Sequence, residues 1–186
     1  MITLRFDGLF RGIPSNHCGR KAGVMCYGWL ISRKGVLLAR GHGAVARGKD
    51  ATSNVAEYLA LIEGLEALID LGVSQETVKI CGDSRCIIDQ MRGAAAVNAP
   101  SMIPLHDRAA RLVQHFRKLR WNWMPRKHNK EADSLTRRAL RQVRLDPNVY
   151  QKAVTALVSR NKPQNNSNRF LPLMDLRVYQ PVNEFS

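Results

Sequence analysis

Residues 52–84 read TSNVAEYLALIEGLEALIDLGVSQETVKICGDS, and the fold class is decided within them. Wound at 100° per residue from Glu57, the side chains of Tyr58, Leu61, Ile62, Leu65, Leu68 and Ile69 fall within about 20° to 140°, a single apolar stripe. Glu63, Glu66 and Asp70 lie opposite. The period predicts a helix that stops at Gly72, a natural residue just past a helix C-terminus. TVKIC is a short β-branched run ending at Gly82 and Asp83, and a second helix is expected from about Ser84 to Arg92. Strand, helix, strand and helix in succession imply a right-handed crossover and a parallel strand pair, so the class is mixed α/β. Glu57 is the odd residue, an acid at the margin of the buried face. A loose capping box, with Asn54 as N-cap and Glu57 reaching back to it, explains it locally; so does a role facing a neighbouring element.

Upstream, Ile2, Leu4 and Phe6 alternate with Thr3 and Arg5, which predicts a first strand ending at Asp7. Asp7 followed by Gly8 fits a simple turn as well. RGIPSNHCGRKAG makes a long loop, and VMCYGWLI and GVLLARGH read as two strands joined around SRKG, so the sheet begins with three antiparallel strands. Downstream, residues 93–102 carry no charge. Pro104 opens an expected helix to about Lys118, with Leu105, Ala109, Leu112, Val113 and Phe116 inward. LRWNWM alternates as a last strand, and PRKHNKEAD is a basic loop entering a helix with Asp133 in its first turn, where an acid ordinarily complements the helix dipole. Asp146–Pro147 signals a further helix to about Arg160, and NKPQNNSN reads as a linker. FLPLMDLRVYQPVNEFS is apolar enough to dock on something.

Lys and Arg total 29 against 15 acids, a formal charge of +14, which favours a polyanionic partner, most simply nucleic acid. No continuous apolar span, signal-peptide core or lipidation motif is evident, so the expectation is a soluble cytoplasmic protein with no membrane role. Cys18, Cys26, Cys81 and Cys86 lack CxxC spacing and read as free buried thiols rather than zinc ligands or disulfides.

Asp7, Glu57, Asp83 and Asp133 each have a local explanation, yet all four occur at element ends. With the first and fourth strands as sheet neighbours, Asp7 and Asp83 lie side by side, and Glu57 and Asp133 close over them from adjacent helices. Two carboxylates about 5 Å apart repel by roughly 3 kcal/mol at an effective dielectric near 20, so such a cluster needs hard cations. All-oxygen ligation points to Mg²⁺ or Mn²⁺ rather than zinc.

These residues carry a family resemblance. FDG at 6–8 followed by RG and AGVMCYGWLI, TSNVAEYLALIEGLEAL, GDS at 82–84 followed by IIDQMRG, and WMPRKHNKEADSLTRRAL occur in the order of the type 1 ribonuclease H family, and the chain resembles it over about residues 1–144. The resemblance implies a ribonuclease H-like fold, a five-stranded mixed sheet flanked by helices. It divides the chain into a 1–144 domain and a 145–186 extension. It further implies an endonuclease hydrolysing the RNA strand of RNA/DNA hybrids with two Mg²⁺ ions, for which Mn²⁺ substitutes, and no other small-molecule cofactor. Asp7, Glu57, Asp83 and Asp133 match the family's metal-binding acids. Hydrolysis is then in-line attack by a metal-bound water, leaving 5′-phosphate and 3′-hydroxyl ends. Asn54 matches a minor-groove contact position, and Gly8, Arg11, Arg85, Arg126 and Asn129, with Lys127, are the remaining candidates for substrate contact.

Two features depart from the family. His128, the candidate for the family's catalytic-loop histidine, stands directly beside Asn129 in a short loop, and no Lys-rich insertion lies between the second and third helices. The extension reads either as an extra helix with a clasp or as a docking element for a protein or nucleic acid. Competing readings of the whole are a DNA nuclease or junction resolvase on the same fold, and a nucleic-acid-binding module without catalysis.

Overall fold

The computed structural model describes residues 1–13, 22–47, 49–149, 151–152, 155 and 170–180. Strand β2 (Gly23–Arg33) is its axis, because the near-continuous apolar run buries both faces. Met25, Tyr27, Trp29 and Ile31 enter the main core on one side, while Val24, Cys26 and Leu30 pack in two smaller clusters on the other. Around it the sheet runs β5-β4-β1-β2-β3-β6. The other strands are β1 (Ile2–Gly12), β3 (Val36–Arg47), β4 (Thr77–Gly82), β5 (Lys118–Trp123) and β6 (Leu171–Tyr179). The pairs β1–β2, β2–β3 and β3–β6 are antiparallel, and β1–β4 and β4–β5 are parallel.

Helix α1 (Ser53–Asp70) covers the main-core face, with Leu61, Ile62, Leu65 and Leu68 fully buried. Helices α2 (Arg85–Met91) and α3 (Ile103–Val113) flank it. Helix α4 (Lys130–Leu145) packs on the opposite face through Ala132, Leu135, Ala139 and Val143. No helix among the described residues is long and apolar enough to cross a membrane. Cys26 and Cys81 are buried free thiols and Cys86 is free but exposed; Cys18 lies outside the described residues.

The mixed sheet is as expected, but with six strands instead of five. The sixth comes from the extension: residues 171–179 pair along β3, whose edge was otherwise open. Side chains fasten it down. Arg177 pairs with Glu63, Glu66 and Asp70 of α1, Tyr179 donates to Asp70, and Tyr27 donates to Asp175. The polar face of α1 is thus the seat of this strand. Of the expected 147–160 helix, residues 147–149, 151–152 and 155 are helical, and the rest of it, like the 161–168 linker, lies outside the described residues.

Three boundaries move. Strand β1 does not end at Asp7; antiparallel pairing with β2 carries it to Gly12, so Asp7 is mid-strand, opposite Gly28. The N-cap of α1 is Thr52, not Asn54: its side chain accepts from the Val55 amide, which places Glu57 too far along the helix to close a capping box. Helix α3 ends at Val113, five residues short of Lys118, because the next carbonyls tighten into i→i+3 bonds and the Arg117 amide turns to the Ser74 carbonyl as β5 begins.

Candidate active site

Parallel pairing of β1 with β4 runs from Ile2–Val78 to Arg5–Cys81, and the same register two residues further sets Asp7 beside Asp83. Glu57 arrives from α1, and the ligand oxygens of Asp7, Glu57 and Asp83 all lie within 4.8 Å of one another. A glycine makes this convergence possible: a Cβ on Gly8 would collide with the Glu57 amide and the Ala56 carbonyl carbon, so α1 rests directly on β1 only because that side chain is missing. A second close approach works from the other face. A Cβ on Gly28 would stand 2.7 Å from Leu135 Cβ and 2.9 Å from the Ala132 oxygen, so α4 descends onto β2 just opposite Asp7. Thr136 Oγ1 can then donate to Asp7 Oδ2 at 3.0 Å.

Asn129, fully buried, ties the group together. Its Nδ2 donates to the Phe6 carbonyl at 2.8 Å and to Asp83 Oδ1 at 2.9 Å, while its backbone carbonyl accepts the Asp133 amide. Its expected role as a substrate contact is not what this geometry supports, since the amide is enclosed and both its hydrogen bonds go to the protein; it positions Asp83.

Burial raises Asp7 to about 7, the nearby Asp83 carboxylate adds to the rise, and the Thr136 hydroxyl opposes it. Glu57 is pushed well above the usual carboxylate range by burial first, then by Asp7 and Asp83, with the Gly8 amide offsetting only part. Glu57 Oε2 and Asn129 Oδ1 are buried with no hydrogen-bond partner. Three converging carboxylates, an orphaned oxygen among them and no nitrogen or sulfur ligand make a donor set suited to a hard divalent cation.

The expected four-acid cluster is therefore three acids with a fourth beside it. Asp133 lies in the first turn of α4, and both its oxygens are engaged: Oδ1 by Arg126 Nη2 at 2.7 Å and Oδ2 by Arg137 Nε at 2.6 Å. Burial alone would raise its pKa, but the hydrogen bonds from Arg137 and Arg126 outweigh that and hold the carboxyl below its ordinary range. Thr136 Oγ1 lies within reach of two acceptors, Asp7 Oδ2 at 3.0 Å and the Asp133 backbone carbonyl at 2.8 Å, between which its single proton is shared.

Other expected residues spread around this centre. Arg126, Lys127 and His128 form an exposed 3₁₀ turn just before Asn129. Arg85 is exposed and stacks its guanidinium 4.5 Å from the Trp123 ring centre, and Trp123 Nε1 donates to the Asp83 carbonyl at 3.0 Å. Asn54 lines a shallow depression of about 360 Å³ with Thr52, Ser53, Ala99, Ser101 and Met102. Arg11 is exposed near the far end of β1. Thr136, Arg137 and Trp123 were not foreseen. For Thr136 a signal was present, since it follows Asp133 by one helical turn and must share its face.

A family model described as reverse transcriptase-like matches residues 14–139. The ribonuclease HI of Halobacterium salinarum is 36% identical over 136 residues, 73% of this chain and 62% of that protein. A bifunctional protein of Mycobacterium tuberculosis is 34% identical over 139 residues, 75% of this chain, so the chain spans only 35% of that relative's length. The crystal structure of RNase H1 from the same Halobacterium matches with a TM-score of 0.66 at 33% identity, covering 76% of this chain and 98% of that one. LC11-RNase H1, from a compost metagenome and solved in complex with an RNA/DNA hybrid, matches at 0.66 and 27%, covering 77% and 99%.

Proposed function

The chain belongs to the type 1 ribonuclease H family, within the reverse transcriptase-like group, and on that premise we propose that it is an endonuclease hydrolysing the RNA strand of RNA/DNA hybrids. The observation that carries the reading is the convergence of Asp7, Glu57 and Asp83 within 4.8 Å around an unpartnered Glu57 oxygen, on a chain of charge +14. Such a site repels the substrate phosphate unless it holds cations.

Asp7, Glu57 and Asp83, joined by Asp133, would hold two Mg²⁺ ions, which when bound supply water activation and neutralise charge at the phosphodiester, giving 5′-phosphate and 3′-hydroxyl ends. The protein's own part is positioning. Thr136 keeps Asp7 ionisable, Asn129 fixes the rotamer of Asp83, and the Gly8 amide points at Glu57. Arg126 and Arg137 neutralise Asp133 in the free protein and, exposed as they are, turn to backbone phosphates when the hybrid arrives. Asn54 and the depression beside it contact the minor groove, where 2′-hydroxyls distinguish RNA. Arg85 on Trp123, Arg11 and the Gly8 backbone are further contact points, and His128 on its exposed turn serves proton transfer or product release. The catalytic unit is residues 1–144, with the extension closing the sheet edge. The free thiols fit a reducing, cytoplasmic setting.

The test is cleavage of a labelled hybrid with Mg²⁺ or EDTA by wild type and Asp7→Asn, with duplex DNA and a four-way junction as parallel substrates. Metal-dependent cleavage confined to the hybrid and lost in the variant supports the reading. Preferred cleavage of duplex DNA or the junction replaces it with the DNA-nuclease alternative, and no turnover leaves a binding module.

A further inference from the structure

Past Asp133, helix α4 carries no acid: residues 134–145 read SLTRRALRQVRL. Its outward positions Arg137, Arg138, Arg141 and Arg144 are all exposed and, at 100° per residue, fall within about 120° of one another. Elsewhere Arg5 pairs with Glu131, Arg33 with Glu76, Arg108 with Glu66, Arg126 with Asp133 and Arg177 with Glu63, while others, Arg11, Arg40 and Arg120 among them, have no ion-pair partner among the described residues. On α4, only Arg137 has an ion-pair partner among the described residues. Arg138, Arg141 and Arg144 keep their charge for something outside the protein.

We propose that this arginine ridge on the outer face of α4 is a second surface for nucleic acid, gripping the phosphate backbone of the hybrid beyond the bond that is cut. The inference rests on the hybrid reading above. Its geometry follows from the helix: Arg137 touches Asp133 at the reaction centre, and at 1.5 Å per residue Arg138 to Arg144 lie about 7 to 17 Å along the axis from Asp133. With a rise of about 3.4 Å per nucleotide in a strand, the three arginines span roughly three phosphates. The face offers no aromatic ring or amide to read a base, so the grip is independent of sequence. An anionic membrane surface is a poorer match, since the only exposed large apolar residue of α4 is Leu145, too little to insert.

The test is binding in EDTA, where hybrid is not cut, of labelled hybrids of about 24 and about 8 base pairs to wild type and to Arg138→Ala/Arg141→Ala/Arg144→Ala, across a salt series. The variant should bind the long hybrid at least about ten-fold more weakly, with the slope of log K against log salt reduced by about two to three, and lose less than about three-fold on the short one. The corresponding triple Lys variant should restore long-hybrid affinity. Unchanged long-hybrid affinity and slope overturn the proposal, as does an equal loss on both lengths or a Lys variant as weak as the Ala one. Should the triple Ala protein not fold, Arg141→Ala alone reads the same slope, reduced by about one. Failure of the hybrid reading would show separately, as wild type cutting neither length in Mg²⁺.

Discussion

Thr136 Oγ1 stands 3.0 Å from Asp7 Oδ2, so a hydroxyl on α4 supports the one carboxylate of the first strand. The bond favours the ionised form of Asp7, against burial and Asp83. Thr136→Val keeps the shape and removes the donor. Hydrogen bonds to charged groups are worth about 1.5–3 kcal/mol, so calorimetric titration should show divalent-cation affinity falling by about ten-fold or more. The acid limb of the pH–rate profile should move to higher pH. Thr136→Ser should behave as wild type; a Val variant that also does so would show the contact to be incidental.

Asp7 and Glu57 make stability depend on pH in an unusual sense. Folded Asp7 titrates near 7 against about 3.9 unfolded, so between those values the folded state holds more protons and stability falls as pH rises. Glu57 acts in the same direction. His42, whose pKa burial lowers, acts oppositely but is common to all variants. In EDTA, the wild-type thermal midpoint relative to that of Asp7→Asn should drop by several degrees between pH 5 and 8, a cost of a few kcal/mol. Mg²⁺ should abolish the drop. Parallel curves for the two proteins in EDTA would mean that the cluster carries no such strain.

What the sequence disclosed and concealed divides along physical lines. Period and turn residues revealed α1, β4 and Asp83 just past the end of β4, because these signals are local, whereas Asp7, expected at a strand end, lies mid-strand because its pairing with β2 is not local. Asp133 was legible as a site residue but not as the partner of Arg126 and Arg137, since which cations reach it depends on the fold of the short loop before α4. Gly28 drew no reading within VMCYGWLI, and its meaning appears only with α4 lying across it. Asn129 read as a candidate substrate contact in the basic loop, though it is fully buried. Strand β6 was missed because Pro172 near its start argues against a strand and its partner, the β3 edge, is more than a hundred residues away.

The close approach at Gly28 has a measurable cost. Gly28→Ala must push α4 away from β2, overpacking worth about 1–3 kcal/mol, and it lifts Thr136 off Asp7 as well. Urea unfolding should show that loss, and cleavage measured well below the unfolding transition should fall beyond what the unfolded fraction explains. Gly12→Ala, whose added Cβ meets only the Phe10 ring at 3.8 Å, is the matched control. Equal behaviour of the two would remove α4 seating from the account of the site.

Arg177 offers the opposite case, a cluster remote from the carboxylates. Its guanidinium, partly buried, joins β6 to Glu63, Glu66 and Asp70 on α1, whereas Glu57 lies further toward the N-terminus of that helix. Arg177→Ala leaves three acids without their shared cation and should free the strand locally, at a cost of about 1–2 kcal/mol given the partial exposure. Hydrogen exchange should then accelerate at the amides of β6 and its partners Ala39–Ala46 on β3, while those of β1 and β4 keep their protection. Hybrid cleavage should change by less than about two-fold, because no residue of the strap belongs to the site. Acceleration reaching β1, or a large loss of cleavage, would show that the sixth strand is an integral part of the catalytic unit and not a fastening on its edge.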